Sequence, residues 1–213
     1  MPYRLAIFDF DGTLADSIAI VLAAMNEAAA RWGFERVDAE RLRELRRLGP
    51  LEIAERIRFP MWKSPVIARF IRRRVAEQHE QLRLFPGVPE MLDGVLARGV
   101  TVAIVSSNAE ATVRRVLGAP LAGRVAYYGC GGSVLGKRRF LRQALARTGV
   151  PFAQAIKIGD EIRDLEAARA ERIAFGGVAW GYAEPDALRA RGADHLFERV
   201  EEIAAVVGGQ GAG

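Results

Sequence analysis

The chain has 213 residues, half of them apolar, a net charge of +5 and one cysteine, Cys130. That length buries a full core as one domain, or as one domain carrying an insertion. No uninterrupted apolar stretch approaches the ~20 residues of a bilayer span, no leader pattern opens the chain, and a lone cysteine forms no internal disulfide. A reducing cytoplasmic setting without membrane association is therefore expected.

The positive balance does not form a nucleic-acid footprint. Arginines are interspersed with glutamates, as in Arg41-Leu42-Arg43-Glu44-Leu45-Arg46-Arg47. The one compact run, Arg72-Arg73-Arg74, sits in a helical pattern whose default is a solvated face. No aromatic interleaving or zinc-ligand spacing accompanies these charges, so no nucleic-acid partner is expected. Of 31 basic residues only Lys63, Lys137 and Lys157 are lysine. In so arginine-rich a chain a retained lysine marks a place where a compact ammonium matters.

The first strand-like run, Leu5–Phe10, ends in Asp9, Phe10, Asp11 and Gly12. Side chains alternate along a strand, so Asp9 and Asp11 project to one side. Two carboxylates that close repel each other unless a cation or a reaction needs them. An acidic turn explains Asp11-Gly12 but not Asp9 inside the apolar run. The segment Asp9-Phe10-Asp11-Gly12-Thr13-Leu14 resembles the D-x-D-G-T-L nucleophile motif of the haloacid dehalogenase superfamily, with every motif position matched. The resemblance implies that Asp9 attacks phosphorus and that Asp11 protonates the leaving oxygen, then activates water. It also implies Mg²⁺, which cancels the repulsion between a carboxylate nucleophile and an anionic target. Dehalogenating members lack a carboxylate at the Asp11 position, so phosphate-ester chemistry is favoured.

From about Asp16 to Phe85 the pattern is helix after helix, far longer than an ordinary crossover. Asp38, and Ser64-Pro65, look like helix starts; Gly49-Pro50 is a break and Phe85-Pro86-Gly87 a return. This predicts a helical cap over residues 16–85 inserted into an α/β core of 1–15 and 86–207. Arg46 and Arg47, just before the break, are the cap's candidate substrate contacts, weighed against a solvated helix face.

Beyond the cap, strand-like runs at Val100–Val105, Val125–Tyr128, Ala155–Ile158 and Ile173–Val178 alternate with helices, the clearest at Ala109–Leu117, Lys137–Thr148 and Ile162–Ala170. Alternation of this kind predicts an α/β, Rossmann-like three-layer fold with a parallel sheet. Ligands in such sheets sit beyond the carboxyl ends of the strands, where Ser106-Ser107-Asn108 and Gly159-Asp160-Glu161 also fall. Asn108 is placed to cap the following helix. The same superfamily resemblance assigns Ser106, with Ser107, Asn108 and Gly12, to the phosphoryl oxygens. It assigns Lys137 to the charge of nucleophile and phosphate, although Arg138 stands where many members carry proline. Lys157, inside a strand, reads as structural. Gly159-Asp160-x-x-x-Asp164 resembles the family's acidic motif, with Glu161 in place of a small hydroxyl residue. By that resemblance Asp9, Asp160, Asp164 and the backbone carbonyl of Asp11 hold Mg²⁺, and an oxygen-rich set without His or Cys suits that ion.

Gly131 to Lys137 imitates a nucleotide phosphate loop, but Arg138 cannot supply its final hydroxyl. His79 and His195 are isolated and form no triad. The tail Gly208–Gly213 is low complexity and expected to fray. The whole resembles the phosphoglycolate phosphatase-like group, with Trp180-Gly181 after the fifth strand contributing. The resemblance implies a Mg²⁺-dependent phosphatase of a small phosphorylated metabolite, monomeric or homodimeric. A phosphomutase, or a regulatory protein that kept the fold, are the alternatives.

Overall fold

The computed structural model describes residues 3–78, 80–131 and 136–209. Its first strand, β1 (Leu5–Phe8), stops two residues short of the predicted run. The reason is local: the Phe10 carbonyl accepts hydrogen bonds from the amides of Thr13, Leu14 and Ala15, which turns the chain away from the sheet. A two-residue strand, β2 (Ala15–Asp16), follows, and then α1 (Ile18–Trp32), α2 (Ala39–Leu45), α3 (Pro50–Arg56) and α4 (Ser64–Glu77). β3 (Arg83–Leu84) pairs antiparallel with β2, so the helical cap is joined to the core by a short two-stranded neck. Two strands so short leave no periodicity to read, and the uninterrupted helical run expected over 16–85 is corrected at both ends.

The helix starts behave as their residues dictate. Asp38 accepts the Arg41 amide at 2.8 Å in a side-chain cap, and Pro65 falls in the first turn of α4. Glu52 reaches back to the Gly49 amide at 2.8 Å. Ala28, Ala29, Phe34, Leu45, Ile57 and Ile67 form the cap's own core, and Arg74 of α4 donates to Glu27 of α1 at 2.7 Å.

The remaining elements are α5 (Val88–Ala97), β4 (Thr101–Ser106), α6 (Glu110–Ala122), β5 (Tyr127–Cys130), α7 (Lys137–Thr148), β6 (Ala155–Gly159), α8 (Ile162–Ala170), β7 (Ala174–Val178), α9 (Pro185–Ala190), β8 (His195–Phe197) and α10 (Glu202–Val207). They build a six-stranded sheet in the order β5-β4-β1-β6-β7-β8, parallel throughout. The expected Rossmann-like α/β fold with a helical cap is the observed one. Alternate residues of each strand face opposite layers. Phe8, Ile104 and Ile158 pack on α5, α6 and α10, and Leu5, Ile7 and Val105 on α7, α8 and α9.

Three readings need correction. β5 lies two residues beyond the expected Val125–Tyr128, because it continues to Cys130 opposite Ser106. β8 has no counterpart among the expected strands: at three residues it is too short to show alternation, and it is held at the sheet edge by pairing with β7. Ala109, not Asn108, occupies the cap position of α6, and the Asn108 side-chain oxygen instead accepts the Ala109 amide at 2.9 Å. The phosphate-loop imitation includes residues 132–135, and one of the two isolated histidines is His79; both lie outside the described residues, as do 210–213 of the tail. Gly208 and Gly209 form the turn after α10.

Candidate active site

Asp9 follows β1 directly, and its Oδ1 accepts the Phe10 amide at 2.8 Å, which fixes the carboxylate at the carboxyl edge of the sheet. Its Oδ2 accepts from Lys137 Nζ at 2.5 Å. Lys137 opens α7 and reaches Asp164 Oδ1 at 2.7 Å as well, so a single ammonium bridges two buried carboxylates. Lys157 in β6 approaches the same Asp164 oxygen at 3.2 Å and donates to the Ile158 carbonyl at 3.0 Å. Lys157, read as structural, thus belongs to the charge network under the site.

The two lysines differ electrostatically. Burial works against the charge on Lys137, but Asp164 and Asp9 more than offset it and hold the ammonium above its ordinary range. For Lys157 burial wins and its pKa falls. Asp164 shows the balance from the other side. Burial would raise its pKa, yet Lys137, Lys157 and Arg163 pull it well below the usual carboxylate range.

Asp160 follows β6. Its Oδ1 accepts from Thr13 Oγ1 at 2.9 Å and its Oδ2 from the Tyr182 amide at 2.9 Å. Burial first, then Glu161, Asp9 and Asp164, raise its pKa well above the ordinary value. Gly12, with φ +72°, and Gly181 lie so close to Asp160 that a Cβ on either would overlap it. Trp180 Nε1 donates to the Thr13 carbonyl at 3.1 Å, so the turn at 180–182 seals the motif loop from one side.

One oxygen each from Asp9, Asp160 and Asp164 lies within 4.8 Å of the others. All three residues are buried, and Asp164 Oδ2 has no hydrogen-bond partner. Three carboxylates with an orphaned oxygen, and no His or Cys among them, fit a hard divalent cation. The Asp11 carboxylate stands outside this set. It faces a cavity beneath the cap and accepts a long contact of 3.4 Å from Asn108 Nδ2. Burial first, and then the Asp9 charge, push its pKa up to about 6, while Ser17, Asn108 and Lys137 pull it back. Ser17 Oγ is buried beside Asp11 without attaining hydrogen-bond geometry.

Ser106 is buried at the end of β4, its Oγ accepting the Asn108 amide at 3.0 Å; Ser107 is half-buried beside it. The cap arginines do not line the cavity. Arg46 donates from Nε to the Tyr182 carbonyl at 2.5 Å and from Nη2 to the Gly181 carbonyl at 2.9 Å, and it faces Glu184 at 3.6 Å. It clasps the cap to the core through these contacts. Arg47 is exposed. Tyr182 and Ser17 are not among the residues the motifs assign. Neither belongs to a contiguous motif, so no spacing announced it.

A parallel α/β sheet whose strand ends gather acidic residues and two lysines beneath a helical lid is an arrangement suited to phosphate-ester hydrolysis. Comparison with known proteins agrees. The profile of the family described as Haloacid dehalogenase-like hydrolase matches residues 6–178. The chain is 32% identical over 198 residues to a phosphoglycolate phosphatase of Synechococcus elongatus, covering 92% of this chain and 93% of the relative. It is 31% identical to one from Xylella fastidiosa, covering 84% and 81%. A haloacid dehalogenase-like hydrolase from Streptococcus pneumoniae superposes with a TM-score of 0.76 at 22% identity, over 95% of this chain and 97% of that one. CbbY from Rhodobacter sphaeroides in complex with phosphate does so at 0.69 and 24%, over 94% and 96%. The chain belongs to the haloacid dehalogenase-like hydrolase family, in its phosphoglycolate phosphatase-like group. It is an enzyme, a hydrolase of phosphoric monoesters.

Proposed function

We propose that the chain is a Mg²⁺-dependent phosphatase of small phosphomonoesters, phosphoglycolate among the first to be tried, and that it acts through an aspartyl-phosphate on Asp9. The observation that carries this is the convergence of the Asp9, Asp160 and Asp164 carboxylates, with one oxygen unpartnered, under a lysine that bridges two of them. Asp9, Asp160, Asp164 and the Asp11 carbonyl would hold the ion, which when bound screens the phosphate charge from the nucleophile and polarises the phosphoryl group.

The residues divide the work. Asp9 supplies the attacking oxygen. Lys137 sets its orientation and offsets the charge gathered around it. Gly12, Ser106, Ser107 and Asn108 offer backbone and side-chain donors to the phosphoryl oxygens. Asp11, with its raised pKa, carries a proton to the bridging oxygen as the P–O bond breaks and its electron pair stays on that oxygen. Asp11 then takes a proton from the water that cleaves the aspartyl-phosphate, so Asp9 is restored and inorganic phosphate leaves. On this reading residues 1–15 and 86–207 do the chemistry, 16–85 close over it, and the protein works in a reducing cytoplasm as a monomer or homodimer.

The test is phosphate release across a panel of phosphorylated metabolites with Mg²⁺, by wild type and by Asp9→Asn. Asparagine is nearly isosteric but not nucleophilic, so release should stop while the fold persists. A variant retaining a tenth or more of wild-type activity, without deamidation back to aspartate, would refute the covalent route.

A further inference from the structure

The cavity on the cap side of Asp11 has a volume of about 100 Å³, room for roughly three waters or a short aliphatic group. Its cap wall is hydrocarbon: Val21, Leu22 and Met25 of α1, Leu42 and Leu45 of α2, and Ile53 of α3. Its other side is formed by Asp11, Ser17, Asp160, Glu161 and Tyr182. Among the described residues no basic side chain lines it. The nearest cap cation the sequence offered, Arg46, has two of its donors on the Gly181 and Tyr182 carbonyls. An anionic group placed here would be stripped of water against apolar walls, with no basic side chain among the described lining residues to pair with it, which is costly.

One polar group lies beside this space. Ser17 is buried, its hydroxyl has no hydrogen-bond partner, and it lies beside the Asp11 carboxyl. A neutral hydroxyl next to the proton donor suits the bridging oxygen of a phosphoester, with the carbon body of the alcohol directed up into the cap.

We propose that this cavity is the leaving-group subsite and that it selects phosphomonoesters of compact, uncharged, largely apolar alcohols over those whose alcohol carries a carboxylate. The inference rests on the phosphatase reading above and departs from the substrate named for the relatives. In the step it concerns, Asp9 forms its bond to phosphorus as the P–O bond breaks with its electron pair on the bridging oxygen, Asp11 protonates that oxygen, and a neutral alcohol remains against the hydrocarbon wall.

The experiment compares kcat/KM of the wild type, with Mg²⁺, on 2-phosphoglycolate and on its methyl ester, which share the same bridging oxygen but differ in charge. A preference of tenfold or more for the ester is expected; any smaller preference, or one for the acid, overturns the inference alone. Silence on both substrates would overturn the phosphatase reading, and this inference with it. Leu42→Lys puts a cation into the hydrocarbon wall from a half-buried position, and it should shift the ratio toward the acid by tenfold or more. Val21→Lys, also half-buried, is the same test from α1 should the first variant not fold. A folded lysine variant with an unchanged ratio would place the leaving group elsewhere and overturn the assignment.

Discussion

Asp11 is where folding and chemistry pull in opposite directions. An ordinary aspartate titrates near 3.8, but in the folded chain burial and the Asp9 charge push Asp11 up to about 6. The folded state therefore binds this proton more tightly than the unfolded one, and stability rises as pH falls from above 6 toward 3.8. At pH 7.5 the ionised group costs the fold about 1–2 kcal/mol, allowing for its partial exposure to the cavity. Asp11→Asn should raise the Tm of the metal-free protein at pH 7.5, with the gain vanishing near pH 4. The same variant should lose at least ~100-fold in phosphate release, because no proton donor remains. Thermal unfolding at both pH values, beside a steady-state assay, checks the pair; a destabilised variant at pH 7.5 contradicts it. Lys137 sets the opposite constraint. Its ammonium fits within 2.7 Å of two carboxylates at once, a space too narrow for a planar guanidinium. Lys137→Arg is expected to reduce kcat by ~100-fold or more although charge is kept. An unchanged kcat would mean that Lys157 is the lysine that matters.

Among the elements, the end of α2 ties the cap to the sheet domain in addition to the β2–β3 neck. Arg46 donates to two carbonyls of the turn at 181–182, and the Glu184 amide donates back to the Arg46 carbonyl at 3.0 Å. That turn in turn supplies the Tyr182 amide to Asp160, so cap position and the acidic cluster share one loop. Hydrogen bonds from a charged donor at a half-buried site are worth ~1–2 kcal/mol after solvent screening. Arg46→Ala should lower kcat/KM about tenfold on charged and neutral phosphoesters alike, and it should speed amide exchange at 181–184. A loss confined to carboxylate-bearing substrates would instead make Arg46 a substrate contact. The elements themselves were legible where the pattern was long enough. α7 and α8 start and end where the periodicity placed them, whereas β2, β3 and β8, at two or three residues, have no period to show. The capping role expected of Asn108 failed because the chain stays extended for one more residue, at Ala109, before the helix begins.

For the molecule as a whole, the decisive quantity is the concentration of negative charge at the strand ends. Asp9, Asp160 and Asp164 converge against the Lys137 and Lys157 ammonium groups, and burial with neighbouring carboxylates raises the Asp160 pKa. A divalent cation that binds only the folded chain stabilises it by mass action, ~2.7 kcal/mol at a hundredfold excess over Kd. Mg²⁺ should therefore raise Tm, EDTA should silence phosphate release, and Ca²⁺ should restore it poorly, since it prefers more ligands at longer distance. Calorimetric unfolding with and without Mg²⁺ and a chelation assay test this. Full activity in EDTA would remove the metal from the mechanism.

The chemistry was legible where it is written in contiguous residues. Asp9-Phe10-Asp11-Gly12-Thr13, Ser106 at a strand end, Lys137 at a helix start and Asp160-x-x-x-Asp164 each set residue type and local backbone within a few positions. Their alternation with apolar runs dictates the parallel sheet that brings the strand ends together. Tertiary structure alone decided the partners that lie far apart in the chain. Arg46 meets a carbonyl 136 residues away, Thr13 meets Asp160 across 147, and Lys157 turns from a strand into the charge network. It also decided that the space above Asp11 is walled by hydrocarbon from three helices. Each of those apolar side chains reads in the sequence as ordinary helix core. Only the packing of cap against sheet leaves a cavity between them, and that cavity gives them a substrate to choose.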